Sequence, residues 1–131
     1  MLNRSELWKI ARARLADAKA LHASRRYDGA VYLCGYAVEV ALKARICKTL
    51  KWDGYPSTAS EFQDYRTFRT HNLDVLLRLT GAEKTIKTEL PAQWSVVASW
   101  DPEARYKNVG STTKQDAELM IDSARGLLAR L

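Results

Sequence analysis

Residues 28–50 read DGAVYLCGYAVEVALKARICKTL, in which an apolar side chain recurs at every third or fourth position. This spacing is that of one face of an α-helix. Asp28 is placed to cap the start of the helix, which ends near Leu50. The main apolar row is Val31, Cys34, Val38, Ala41, Leu42 and Ile46, and the adjoining row is Tyr32, Tyr36 and Val40. A helix that is apolar around so much of its circumference is expected at the centre of a helical bundle.

Four further helices are predicted around this central one. Amphipathic spacing predicts helices over 3–24 and 113–130, and a short leucine-rich helix lies within 72–81. A helix over 83–100 must break or restart at Pro91. Candidate caps are Asn3 or Ser5 for the first helix, Asn72 for the short one, and Thr113 with Asp116 for the last. We therefore expect an all-α fold, an up-and-down bundle of four long helices plus a short helix.

The composition describes a single globular domain over residues 1–131, with 47% apolar and 27% charged residues. No apolar run approaches the ~20 residues that span a bilayer, and the first 14 residues lack the apolar core of a signal peptide. We therefore expect a cytoplasmic protein with no membrane partner. Cys34 and Cys47 lie within one helix and are expected to be buried, reduced thiols. The cysteines and histidines lack the spacing of metal ligands, so no cofactor is expected.

The chain is basic, with 21 Lys and Arg against 15 Asp and Glu, a net charge of +6. This excess suits an anionic partner such as RNA or a nucleotide. The basic residues are spread along the chain, so an ordinary solvated surface remains an equal interpretation. Residues 52–70 form the longest irregular stretch and contain several aromatic side chains, which indicates a loop that either packs over the core or is functional.

Three short motifs carry a resemblance to a known family. The first runs from Arg26-Tyr27 to Glu39-Val40-Ala41-Leu42-Lys43-Ala44, the second is His71-Asn72-Leu73-Asp74-Val75-Leu76, and the third is Glu103-Ala104-Arg105-Tyr106. In this order and spacing the chain resembles the HEPN family, the higher eukaryote and prokaryote nucleotide-binding domains. The resemblance covers nearly the whole chain. It implies a helical bundle, often a symmetric homodimer, with RNA, nucleotides or a minimal nucleotidyltransferase antitoxin as partners.

The ribonuclease branch of that family suggests candidate catalytic residues. In those proteins an arginine is followed four to six residues later by a histidine, and the pair cleaves RNA without a metal ion. Histidine exchanges protons near neutral pH, and arginine stabilises charge that develops on the phosphate. Arg105 occupies the expected region, but no histidine follows it. The alternative pair, Arg66 and His71, has the right spacing but lies in an earlier segment. The favoured interpretation of His71 is a structural role, in which it holds the loop against a neighbouring helix by hydrogen bonding.

A second group of residues is a candidate polar patch. Glu39 and Lys43 are an i, i+4 pair on the central helix, where a carboxylate must be paired if it is buried. They are interpreted either as a structural ion pair, with Arg105 as a possible third member, or as the lining of a ligand cleft. Tyr36 and Tyr106 are candidates to stack on bases, with core or dimer packing as the alternative.

Three functions remain open from the sequence. The first is a nucleotide- or RNA-binding module, without a complete catalytic pair, which is the HEPN half of a toxin–antitoxin pair with a nucleotidyltransferase. The second is a metal-independent ribonuclease toxin. The third is a structural dimerisation domain. The missing histidine after Arg105 favours the first.

Overall fold

The computed structural model describes residues 1–131, except for the side chains of Ala104 and Arg105. It confirms the all-α prediction. The helices are α1 (Arg4–Ala23), α2 (Tyr27–Leu50), α3 (Leu73–Leu79), α4 (Glu83–Glu89), α5 (Pro91–Ala98) and α6 (Lys114–Arg130). Two short 3-10 turns, Arg66–Phe68 and Pro102–Tyr106, lie in the connections. The predicted helix over 83–100 is thus two short helices, because Pro91 begins a new helix after Leu90.

The chain runs up and down through α1, α2, α5 and α6. A three-residue turn joins α1 to α2, so these two helices pack antiparallel. Asp28 at the start of α2 contacts Thr112 just before α6, and Arg45 near the end of α2 donates to the main-chain oxygen of Leu131 just after α6. These contacts require α2 and α6 to run parallel. The up-and-down arrangement predicted from short connections is therefore present.

Helix α2 lies at the centre of the bundle, as its two apolar rows predict. Its fully buried side chains contact α1 on one side and α6 and α3 on the others. Cys34 and Cys47 are both buried, free thiols, and burial raises the pKa of Cys34 to about 12. Because α2 is surrounded by its neighbours, any polar side chain on its inner faces must find a partner inside the protein.

The stretch between α2 and α3 packs down on the bundle instead of standing away from it. Residues Leu2–Asn3 (β1) and Gly54–Tyr55 (β2) form a two-stranded antiparallel ladder that the sequence did not reveal. The Tyr55 hydroxyl donates a hydrogen bond of 2.6 Å to the main-chain oxygen of Phe68. The rings of Trp52 and Phe68 lie 4.8 Å apart. This aromatic cluster fixes the loop and so places the residues that follow it, including His71.

Across the described residues, no helix combines the length and the apolar character that a membrane span requires. The same part of the chain contains no group of three or more His, Cys, Asp or Glu side chains arranged to hold a metal ion.

Trp100 packs flat against the backbone of α2 at Gly35. A methyl carbon added at Gly35 would lie 1.9 Å from Cε2 and 2.0 Å from Nε1 of the indole ring. Such distances are well inside van der Waals contact, and both partners are buried backbone or ring atoms. Only glycine at this position lets the segment after α5 close on the central helix.

We expect Gly35→Ala to lower the free energy of unfolding by about 2 kcal/mol, since the methyl group displaces a buried ring. Gly126→Ala is the matched control, because a methyl group there meets only Gln93 Cγ at 3.8 Å. Without a clash, that change is expected to stabilise α6 by about 0.5–1 kcal/mol. Urea denaturation of the two variants measures both values. An equal increase in the free energy of unfolding of both variants would contradict the packing of Trp100 against Gly35.

Candidate functional site

Glu39 is a buried carboxylate near the middle of α2, with 3% of its surface exposed. Its Oε2 accepts a hydrogen bond of 3.0 Å from Lys43 Nζ, one helical turn further along. Its Oε1 lies 2.8 Å from His71 Nδ1, which is 32 residues away in sequence. Both oxygens therefore have a charged or polar partner, as a carboxylate in this setting requires. The ion pair predicted for Glu39 and Lys43 is present.

His71 follows the aromatic loop and immediately precedes the residues that begin α3. An ionised carboxylate can only accept, so His71 Nδ1 donates to Glu39 and carries the ring proton in the neutral tautomer. Nε2 is then the nitrogen with the available lone pair. The His71 side chain is 61% exposed, so solvent and ligands have access to it. The structural contact predicted for His71, between the loop and a neighbouring helix, is thus observed.

Aromatic rings surround this pair. The rings of Tyr36 and His71 are 6.5 Å apart, and the rings of Tyr36 and Trp100 are 5.0 Å apart, both nearly perpendicular. Tyr32 and Tyr36 bring their hydroxyl oxygens within 3.4 Å of each other. Lys43 Nζ lies 5.4 Å from the centre of the Tyr55 ring, a cation–π contact. The structure therefore brings Tyr36, Glu39, Lys43 and His71 together.

A cleft of about 450 Å³ opens beside His71, between the start of α3 and the segment after α5. Its charged lining among the described residues consists of Asp74, Asp101 and Glu103, with His71 as the single group that can become cationic. Asp74 also accepts a hydrogen bond of 3.0 Å from Trp94 Nε1. Three carboxylates in one cleft repel a phosphate group, because like charges interact unfavourably at short range.

Two other candidate residues, Arg66 and Tyr106, are exposed in the 3-10 turns. Arg66 is exposed in the 3-10 turn Arg66–Phe68, and no hydrogen bond or ion pair joins it to His71 in the described part of the chain. Tyr106 ends the turn Pro102–Tyr106 and is 72% exposed. The side chain of Arg105 lies outside the described residues. His22 sits in the last turn of α1, where its ring contacts Tyr27 and its Nε2 is 3.4 Å from Glu118.

Asp28 has a role that differs from the predicted helix cap. Helix α2 begins one residue earlier, at Tyr27, and Arg26 precedes it without a side-chain cap. The Asp28 carboxylate instead accepts hydrogen bonds from Gly110 N–H at 2.6 Å and Thr112 N–H at 3.0 Å. These bonds satisfy two loop donors that have no partner within a helix. The carboxylate thereby anchors the segment that follows the Glu103–Tyr106 motif onto α2.

Several residues of the cleft could not be found from the sequence. Trp100 and the carboxylates of Asp74, Asp101 and Glu103 carry no spacing signal, since three elements bring them together. Trp100 Nε1 is buried and has no hydrogen-bond partner among the described residues. The helix predicted over 83–100 ends just before Asp101 and Pro102, but the sequence does not indicate that these two residues face His71.

The comparison with protein-family models gives one result that covers nearly the whole chain. The model described as HEPN domain matches residues 5–131. No significant match was found among curated proteins or among solved structures.

We expect Glu39→Ala to lower the free energy of unfolding by about 3 kcal/mol, because it leaves Lys43 and His71 without their buried partner. Asp17→Ala is the control, since Asp17 lies on the surface at 3.2 Å from Arg14, and its loss changes stability by at most about 0.5 kcal/mol. Chemical denaturation monitored by circular dichroism measures both changes. Equal small effects would contradict a structural role for Glu39.

Asp28 is expected to make the stability of the segment near Gly110 depend on pH. The hydrogen bond from Gly110 N–H, followed by those from Thr112, holds the pKa of Asp28 below its usual value of 3.8. Folding therefore favours the ionised carboxylate. The contribution is full above the unfolded pKa and is lost as the pH falls through the folded pKa.

Amide hydrogen exchange of Gly110 and Thr112 tests this dependence. We expect the protection of these two amides to fall as the pH is lowered below about 4, after correction for the intrinsic exchange rate. In Asp28→Asn the protection should be weaker at neutral pH and should no longer change over this interval. A wild-type profile that stays flat to pH 2 would refute the proposed anchoring.

Proposed function

The chain belongs to the HEPN domain family, and we propose that it binds a nucleotide or RNA without cleaving it. Family membership makes it a nucleotide- or RNA-related module. The finer proposal is a homodimer that forms the HEPN half of a toxin–antitoxin pair with a minimal nucleotidyltransferase. It lacks a histidine four to six residues after Arg105, the arginine in the region where the family has its pair.

The observation that carries this proposal is the position of His71. It is the only histidine that follows an arginine at the family spacing, and its Nδ1 is bound to the buried Glu39. Arg66, its partner by spacing, is exposed in a separate turn. A general base and an electrostatic stabiliser must act on one phosphate at the same time. No hydrogen bond or ion pair joins Arg66 to His71 or Glu39 in the described part of the chain, which supports binding without this pair's chemistry.

The charge of the cleft supports the same conclusion. RNA cleavage at His71 would place a phosphodiester beside Asp74, Asp101 and Glu103. Desolvation and repulsion by the carboxylates disfavour the anionic RNA backbone at this place. They disfavour the transition state as well, because it carries further negative charge. The overall charge of +6 nevertheless favours an anionic partner. These facts favour RNA binding on another surface of the molecule.

A ribonuclease is the second candidate, and the Glu39–His71 pair is the observation that favours it. A carboxylate that accepts a hydrogen bond from Nδ1–H fixes the tautomer and the orientation of the ring, which leaves the lone pair on Nε2. In such a reaction Nε2 takes the proton of the ribose 2′-hydroxyl, the 2′-oxygen attacks phosphorus, and the bond from phosphorus to the 5′-oxygen breaks as that oxygen takes a proton from water. Arg105 would supply the positive charge to the phosphate. This mechanism needs no metal ion.

Incubation of the purified protein with a mixed RNA pool in EDTA separates the candidates. We expect the wild type to shift labelled RNA in a gel without shortening it, because no arginine lines the cleft beside His71 among the described residues. His71→Ala and Arg105→Ala should bind equally well. Cleavage that is lost in both variants would establish the ribonuclease instead.

A folded protein that binds neither RNA nor nucleotides would refute the binding proposal. If such a protein is dimeric by light scattering, the structural dimerisation domain becomes the remaining candidate. Asp17→Asn is a matched control for the cleavage assay, since Asp17 lies on the outer face of α1 and pairs only with Arg14 among the described residues.

A further inference from the structure

A second groove, separate from the cleft at His71, runs between α1 and α6. It measures about 560 Å³. The apolar part of its lining includes Leu15, Leu128 and the small side chain of Ala129. Three arginines line it, Arg4 and Arg12 from α1 and Arg125 from α6.

The charge of this groove is opposite to that of the first cleft. Arg4, Arg12 and Arg125 are exposed, and no acidic side chain lines the groove among the described residues. Arg125 donates to Asp122 at 2.8 Å. Arg4 and Arg12 form no ion pair with a carboxylate in the described part of the chain. Two guanidinium groups are thus available to an anion, which favours phosphate as the ligand.

An aromatic side chain lies between the two unpaired arginines. Arg4, Trp8 and Arg12 are four residues apart, so they form one row along α1 that is about 12 Å long. The Arg12 guanidinium lies 5.3 Å from the centre of the Trp8 ring, and Trp8 is half-buried. A planar cation beside an indole offers a flat surface for a nucleobase, and flanking guanidiniums reach the phosphates on either side.

We propose that this groove binds single-stranded RNA, with Arg4 and Arg12 on the phosphates and Trp8 stacked on a base. The inference rests on the proposed RNA-binding function and assigns it a surface. A single strand fits better than a duplex, because only unpaired bases present their faces to an aromatic ring. The row is long enough to face more than one phosphate of the strand. RNA therefore binds on the α1–α6 face, away from the acidic cleft.

Fluorescence anisotropy with a labelled single-stranded RNA tests the assignment. We expect the double variant Arg4→Glu/Arg12→Glu to bind at least about tenfold more weakly. The slope of log affinity against log salt should fall by about 1.4, because each phosphate contact with a single strand contributes about 0.7. Trp8→Leu, which keeps an apolar side chain, should weaken binding about fivefold or more.

The double variant Lys9→Glu/Arg14→Glu is the matched control. It makes the same change of charge on the same helix, but both positions lie about 100° or more around α1 from Trp8. We expect its affinity to stay within about twofold of the wild type. Circular dichroism verifies that each variant is folded before binding is compared.

Each result decides the assignment. Equal losses of RNA affinity in the groove variant and in the control would show a general attraction to a basic protein. That result would overturn the assignment of RNA to the groove, while the proposed binding function would stand. A wild-type protein that binds no RNA would overturn the groove assignment, and one that also binds no nucleotide would overturn both proposals. A poly-glutamate peptide that binds as tightly as RNA, and depends equally on Arg4 and Arg12, would assign the groove to an acidic protein partner instead.

Discussion

The buried carboxylate of Glu39 is the constraint on which the arrangement of the site depends. A charge at the centre of the bundle is tolerated only when it is paired, and its two oxygens hold Lys43 on the same helix and His71 after the aromatic loop. The first contact fixes a side chain within α2. The second ties together parts of the chain that are 32 residues apart. Through it the position of α2 determines where the cleft opens and which residues line it.

The cleft beside His71 and the groove between α1 and α6 have opposite charge. The proposed function of this HEPN domain depends on this difference. The cleft beside His71 has carboxylates from α3 and from the segment after α5, and the groove between α1 and α6 has arginines. A bundle with helices of mixed composition can segregate charge in this way because each groove is lined by only two or three elements. An anionic ligand is therefore steered to one face and a cationic or neutral group is favoured on the other.

The features that depend on local sequence were predictable. Asn3 and Thr113 form the capping boxes of α1 and α6, Asn72 caps α3, and Pro91 starts a helix, each within a few residues of the signal. The fold class followed from these local signals and from helical periodicity. The long-range contacts were not predictable. Asp28 suited a helix cap as well as any aspartate, and only the folded chain shows that Gly110 and Thr112 donate to it. Likewise, the spacing of Arg66 and His71 suggested a catalytic pair. In the structure the His71 side chain instead binds Glu39 on α2.

The contact between Asp28 and Gly110 joins residues 82 positions apart, which has a consequence for the order of folding. Closing a loop of this length carries an entropy cost that local helix formation does not, so the contact forms only after α2 and α6 have docked. Its donor Gly110 lies in an exposed loop, and contacts of this kind are the ones that open locally while the core of a protein stays intact. The segment next to the Glu103–Tyr106 motif can thus exchange between closed and open states within an otherwise native protein. A partner that binds either state would control that motif without unfolding the domain.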